Sequence, residues 1–144
     1  MSMKIYCDGS CIGNPGIGGW AAIFVDNDNI IKKIYGFSHY TTNNRMELTA
    51  AIKALEKLET NQSVQIYTDS QYLKIGITLW IQSWKVTNWK NGKIKNIKFW
   101  QRLDTLYSLQ KNMRWHWIKG HSGDKYNELS DQLAKNAAIK KITL

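Results

Sequence analysis

Proline occurs once and cysteine twice in the 144 residues, and acids are outnumbered by bases eleven to twenty. Cys7 and Cys11 flank an Asp-Gly-Ser turn and have no Cys or His partner at metal-ligand spacing. They read as two reduced thiols in a reducing compartment, not as a disulfide framework or a zinc site. No apolar run approaches the roughly 18 residues that span a bilayer. The opening Met-Ser-Met-Lys-Ile-Tyr runs into a strand with no apolar signal region. The expectation is a soluble, cytoplasmic, free-standing chain with no membrane partner. There is no internal repeat and no low-complexity linker. The chain has no room for a second full domain, so residues 1–144 are expected to fold as one. Covalent catalysis lacks its signature too, since no Ser/His/Asp order or Cys/His pair suggests a covalent nucleophile. The Gly-rich stretch from Gly13 to Gly19 lacks the Lys-Ser/Thr of a phosphate-binding P-loop.

What is present is positive charge, unevenly spread. The net charge is +9, and no acid falls between Asp69 and Asp104. That interval carries Lys74, Lys85, Lys90, Lys93, Lys95, Lys98 and Arg102. Such a balance favours a polyanionic partner: a nucleic acid foremost, with anionic membranes and ribosomes as the alternatives.

The hydrophobic pattern predicts strands at Met3–Cys7, Trp20–Val25 and Ile30–Phe37, with Cys11–Gly19 as a loop and Asp26–Asn29 as a turn. Short links between them imply an antiparallel meander. Leu48, Ala51, Ile52, Leu55 and Leu58 then recur at helical spacing, so a helix is expected from Asn43 to about Leu58, capped by Thr42 or Asn43. A strand at Val64–Thr68 is followed by a helical pattern through Leu73, Ile77, Trp80 and Trp84. A Lys/Asn/Gly-rich excursion spans Val86–Asn96. Next come a helix at Phe99–Leu109, a strand at Met113–Ile118, a loop at Lys119–Lys125, and a helix at Tyr126–Ala138 with Leu129, Leu133 and Ala137 on one face. The alternation in the second half implies a mixed α/β sheet.

Asp8 and Asp69 hold equivalent places, each directly after an expected strand. Ligand sites in such sheets form beyond the carboxyl ends of parallel strands. Two carboxylates side by side repel unless a cation lies between them, and a hard divalent ion such as Mg²⁺ takes oxygen ligands. Glu47 near the start of its helix and Asp131 in the last helix could point at the same place. Four carboxylates would suit two metal ions and in-line phosphoryl displacement. Each acid also has a plainer reading. An Asp after a strand forms turns, Glu47 favours the positive end of its own helix, and Asp131 pairs with Lys135 at i+4.

Read together, the local sequences resemble the type 1 ribonuclease H family. The matching segments are Asp8-Gly-Ser-Cys-Ile-Gly-Asn-Pro-Gly, Thr41-Thr-Asn-Asn-Arg-Met-Glu-Leu, Thr68-Asp-Ser-Gln-Tyr, Trp100-Gln-Arg-Leu, Lys119-Gly-His-Ser-Gly and Asn127-Glu-Leu-Ser-Asp. They occur in the family's order along nearly the whole chain.

The resemblance implies a five-stranded mixed sheet, three antiparallel strands followed by two parallel to the first, flanked by helices. It also implies an endonuclease that hydrolyses the RNA strand of RNA–DNA hybrids to 5′-phosphate and 3′-hydroxyl ends, with two Mg²⁺ ions or Mn²⁺ in their place. Asp8, Glu47, Asp69 and Asp131 match the metal-binding carboxylates. His121 matches a loop histidine that aids proton movement and product release, a task imidazole suits near neutral pH. Asn14, Asn43, Asn44 and Gln71 match minor-groove contacts, where the 2′-hydroxyl distinguishes RNA. Lys90 and Lys93 lie in the matching basic protrusion, about residues 85–98, which is a few residues shorter than in familiar bacterial members. Trp80 and Trp84 match the channel for the DNA strand, with Trp80 expected as wall or core and Trp84 as a contact. Thr42 and Asn96 match a pocket for one DNA phosphate. Many relatives place Arg two residues before that Thr, where this chain has Tyr40. A monomer is expected. A non-catalytic hybrid-binding protein, a transposase or integrase core, and the nuclease domain of a reverse transcriptase are the competing readings.

Overall fold

The computed structural model describes residues 3–144. Its centre is a five-stranded sheet in the order β3-β2-β1-β4-β5. Strands β1 (Met3–Cys11), β2 (Gly16–Asp26) and β3 (Asn29–Thr41) form the antiparallel meander, and β4 (Ser63–Thr68) and β5 (Asn112–Trp117) add in parallel beyond β1. The expected sheet is therefore the observed one.

Strand alternation divides the core into two faces. Ile5, Cys7, Ala22, Phe24, Val64 and Ile66 pack beneath α1 (Asn43–Glu56) and α5 (Ile97–Ser108). Tyr6, Ile23 and Val25 face the other way, toward Tyr126, Leu129 and Leu133 of α6 (Lys125–Lys140). Thr42 caps α1 by accepting from Arg45 N at 3.2 Å, which decides between the two expected caps.

Three expectations are corrected. The stretch from Cys11 to Gly19 is not all loop, because β1 continues to Cys11 and β2 begins at Gly16. Asp8 thus lies inside β1, opposite Ala21 of β2. The parallel ladder to β4 nevertheless ends at Cys7↔Thr68, so Asp8 and Asp69 still directly follow its last rung.

The buried stripe of α6 is Asn127, Ser130, Ala134, Ala137 and Ala138, while Leu129 and Leu133 are its half-buried flank. Small residues are needed there because the helix lies on strand backbone: a Cβ at Gly19 would come within 2.0 Å of the Ala134 carbonyl oxygen.

The helical pattern after β4 is broken into α2 (Gln71–Ile75), a π-helical turn (Gly76–Trp80) and α3 (Ile81–Val86). The following short turn, α4 (Asn88–Gly92), carries left-handed backbone at Trp89, Lys90 and Asn91 (φ 56°, 48° and 55°).

Candidate active site

Gly9 is what lets the first helix reach the first strand. A Cβ there would lie 2.4 Å from the backbone nitrogen of Glu47, so any side chain would hold α1 away. With α1 seated, the Gly9 N–H donates to the Glu47 carboxylate and also to Asp8 Oδ1, the latter at 3.0 Å. Asp69 follows β4 and leads into Ser70, which caps α2 by accepting from Leu73 N. One carboxylate oxygen from each of Asp8, Glu47 and Asp69 lies within 4.8 Å of the other two.

The electrostatics of this cluster are unfavourable as it stands. Asp8 and Glu47 are buried, 3% and 4% exposed. Burial, then the neighbouring Glu47, Asp69 and Asp131 carboxylates, push the Asp8 pKa far above the carboxylate range. Burial and Asp69 push Glu47 up as well, against the lowering effect of the Gly9 N–H that its carboxylate accepts. Asp8 Oδ2 is buried with no hydrogen-bond donor. A buried, donorless carboxylate oxygen beside two further carboxylates is poorly solvated, and oxygen-seeking divalent cations supply what is missing. The donor set thus fits a hard cation.

Asp131 comes from α6, on the sheet face to which alternation assigns Asp8. It adds to the raised pKa of Asp8, and its Oδ2 also pairs with Lys135 Nζ at 3.0 Å, so the plain i+4 pairing is realised alongside. An open groove of about 890 Å³ runs from Asp131 and the exposed His121 along α6 to the β2–β3 turn.

A polar strip adjoins the cluster. Asn14 Oδ1 accepts from Asn43 N at 2.8 Å, which sets the Gly-rich loop against the start of α1. Asn44 and Gln71 are exposed on α1 and α2. Asn96 is occupied on both sides, its Oδ1 by Arg45 Nε at 3.0 Å and its Nδ2 by the Tyr72 hydroxyl at 3.2 Å. Arg45 therefore stands between Thr42 and Asn96, its guanidinium 5.8 Å from the Phe99 ring centroid. Sequence reasoning gave Arg45 no role. The signal available was a cation two residues before Glu47, at a helix start where cations are disfavoured.

Trp80 and Trp84 are both half-buried, in one aromatic box with Tyr72, Trp89 and Trp100 at centroid distances of 5.2–6.0 Å. Trp84, expected as a contact, is thus packed into the fold as Trp80 is. Lys90 and Lys93 are exposed. Within the acid-free interval, Lys85 and Arg102 pair with Asp104 and Glu56, at 2.9 and 3.1 Å. Among the described residues no helix is long and apolar enough to cross a membrane.

Carboxylates converging at the end of a parallel ladder, on a strongly basic chain, fit the class of enzymes that act on polyanions with the help of a cation. Comparison with known proteins narrows it. A model of the RNase H family matches residues 1–139. The Ribonuclease H of Ruthia magnifica subsp. Calyptogena magnifica is 50% identical over 143 residues, 96% of each chain. That of Wolbachia pipientis wMel is 51% identical over 138 residues, 94% of each. Among solved structures, LC9-RNase H1, a type 1 RNase H with the type 2 active-site motif, superposes with a TM-score of 0.87 at 30% identity, covering 98% of this chain and 74% of that one. LC11-RNase H1, solved in complex with RNA/DNA hybrid, shares the fold at 22% identity and a TM-score of 0.76, covering 96% of this chain and 98% of that one. The chain belongs to the ribonuclease H family, on the type 1 side, and is a hydrolase of phosphodiester bonds.

Proposed function

We propose that the chain is an endonuclease that cuts the RNA strand of RNA–DNA hybrids, leaving 5′-phosphate and 3′-hydroxyl ends. Residues 1–144 act as one catalytic domain, monomeric and cytoplasmic. The observation that carries this reading is the cluster of buried Asp8 and Glu47 with half-buried Asp69. Together with Asp131, these residues would hold two Mg²⁺ ions, or Mn²⁺ in their place. When bound, such a pair offsets the charge that develops on the entering and leaving oxygens during displacement at phosphorus.

The chain's own residues do the rest. Gly9 N–H fixes the Glu47 carboxylate, and the β1/β4 ladder fixes Asp8 against Asp69, so little reorganisation is needed when substrate arrives. His121, which lines the same groove as Asp131, takes a proton from the site and helps product leave. Asn14, Asn43, Asn44 and Gln71 face the minor groove, where amides can both donate to and accept from a 2′-hydroxyl. LC11-RNase H1, similar in fold, was solved with an RNA/DNA hybrid, which supports this substrate class. Thr42 and Asn96 hold a phosphate of the DNA strand. Arg45, anchored between them, supplies the positive charge that Tyr40 does not. Trp84, with Trp80 behind it, walls the channel for that strand. Lys90 and Lys93 track its phosphates.

The test is cleavage of labelled RNA–DNA hybrid, duplex RNA, duplex DNA and single strands, each with Mg²⁺ and with EDTA. RNA-strand cuts confined to the hybrid and abolished by EDTA are expected. Cleavage of duplex DNA, or none of the hybrid, overturns the reading. Asp69→Asn is expected to lower turnover by at least about a hundredfold while keeping the fold, as loss of a metal ligand does. Turnover and circular dichroism of the purified variant check both halves.

A further inference from the structure

The ends of β4 and β5 part where the carboxylate cluster begins. Their last paired residues are Thr68 and Trp117, and one more rung follows, Ile118 N–H to the Thr68 carbonyl at 2.9 Å. From there β4 runs to Asp69, and β5 runs into the loop that carries His121. Two contacts bridge the gap. The Trp117 indole N–H donates to the Asp69 carbonyl at 3.0 Å. Loop backbone also lies against the Asp69 side chain, since a Cβ at Gly120 would sit 3.0 Å from Asp69 Oδ2.

We propose that Trp117 is a positioning residue: its indole pins the peptide after Asp69 to the root of the His121 loop, and so sets both the Asp69 carboxylate and the loop. The cation part of this rests on the reading of Asp8, Glu47 and Asp69 as metal ligands.

Three features favour a positioning task over packing. Trp117 is 42% exposed, so its ring is far less committed to the core than that of Trp115 at 6%. The Asp69 carbonyl lies before the first helical bond of α2, which Ser70 accepts from Lys74 N–H at 3.1 Å. Helix formation therefore does not fix the Asp69–Ser70 peptide; its N–H donates to Thr68 Oγ1 at 3.0 Å, and its carbonyl is held by the indole. The third is a contrast on the same strand and the same face. Trp115 is 6% exposed, packs edge-on against Tyr107 at 5.6 Å, and leaves its own N–H without a partner. One indole fills the core, and the other reaches out to hold a carbonyl. The loop it anchors is otherwise closed on itself, with Ser122 Oγ donating to the Lys119 carbonyl at 2.6 Å and left-handed backbone at His121 and Gly123.

Trp117→Phe keeps a ring and removes the donor, and Trp115→Phe is the control for losing an indole from β5. Mg²⁺ affinity is read by titration calorimetry, amide exchange over residues 119–123 by mass spectrometry, and kcat and KM on hybrid. In Trp117→Phe, Mg²⁺ binding is expected to weaken about threefold to tenfold, the range of one neutral hydrogen bond. Loop exchange should quicken, and kcat should fall with KM near that of the parent. Trp115→Phe is expected to lower Tm while leaving Mg²⁺ affinity and loop exchange unchanged. Gly120→Ala, which intrudes on Asp69 without touching the indole, should shift Mg²⁺ affinity in the same direction as Trp117→Phe. Parent-like Mg²⁺ affinity and loop exchange in Trp117→Phe would overturn the proposal. If the parent protein takes up no cation, the reading of the cluster fails, and loop exchange in Trp117→Phe still decides whether the indole pins Asp69 to the loop.

Discussion

Asp8 and Glu47 are held where water cannot solvate them and where each faces other carboxylates. Both pKa values are raised above the unfolded ones, by burial first and neighbouring charge second. Their protonated forms therefore favour the fold. Without a cation that stability is full below the ordinary carboxylate range, and it is lost as pH climbs toward the raised folded values. The Tm of EDTA-treated protein is thus expected to fall between pH 5 and pH 8. A saturating divalent cation should raise Tm by an increment that grows with pH, because the ligands must shed their protons to bind it. Thermal melts across that range, with and without Mg²⁺, read both effects, and an increment that does not change with pH would refute them. At this scale the sequence was partly legible. Asp8 and Asp69 could be paired because parallel strands bring their following residues together. Arg45 and Trp117 could not be assigned roles. Their partners, Asn96 and Asp69, lie 51 and 48 positions away, and no local pattern announces such a meeting.

Periodicity predicted where the elements run but not their irregularities. Leu73, Ile77, Trp80 and Trp84 have helical spacing, yet the segment contains a π-helical turn from Gly76 to Trp80. The reason is tertiary. Trp100 is fully buried against Gly76, and a Cβ there would come within 2.0 Å of the indole. Backbone and ring have been fitted to one another, which no count of apolar residues reveals. Gly76→Ala is accordingly expected to destabilise by about 1–3 kcal/mol, the usual cost of overpacking, read as a lower urea midpoint. Trp100 Nε1 also donates to the Tyr72 hydroxyl, which in turn accepts from Asn96. The variant should therefore raise KM as well, and a normal KM would separate the aromatic box from the substrate strip. The run of left-handed residues in α4 was legible only as an excursion rich in Asn and Gly, since left-handed backbone in Trp89 and Lys90 runs against ordinary preference.

Charge is unevenly spread over the whole molecule. Asp8, Glu47 and Asp69 converge at the end of the β1/β4 ladder, while Lys74, Lys90, Lys93, Lys95 and Lys98 make no ion pair among the described residues. That the sheet is mixed could be read in advance from the order of elements, its five-stranded arrangement followed from the family resemblance, and the charge asymmetry could be read from the acid-free interval. What could not be read is that Lys85 and Arg102 are neutralised by partners from other segments. That leaves a smaller set of free cations to contact phosphate. Each phosphate contact releases condensed counterions, so the logarithm of hybrid affinity should fall linearly with the logarithm of salt concentration. Lys90→Ala with Lys93→Ala is expected to reduce that slope by about one to two units and to raise KM. Turnover at saturating substrate should stay near that of the parent, because neither lysine belongs to the carboxylate cluster. Lys85→Ala, whose ammonium is already paired with Asp104, should change the slope much less. Equal slopes for the parent and the double variant in a titration from low to physiological salt would remove the protrusion from the binding surface. A fall in kcat without change in slope would instead tie it to the chemistry.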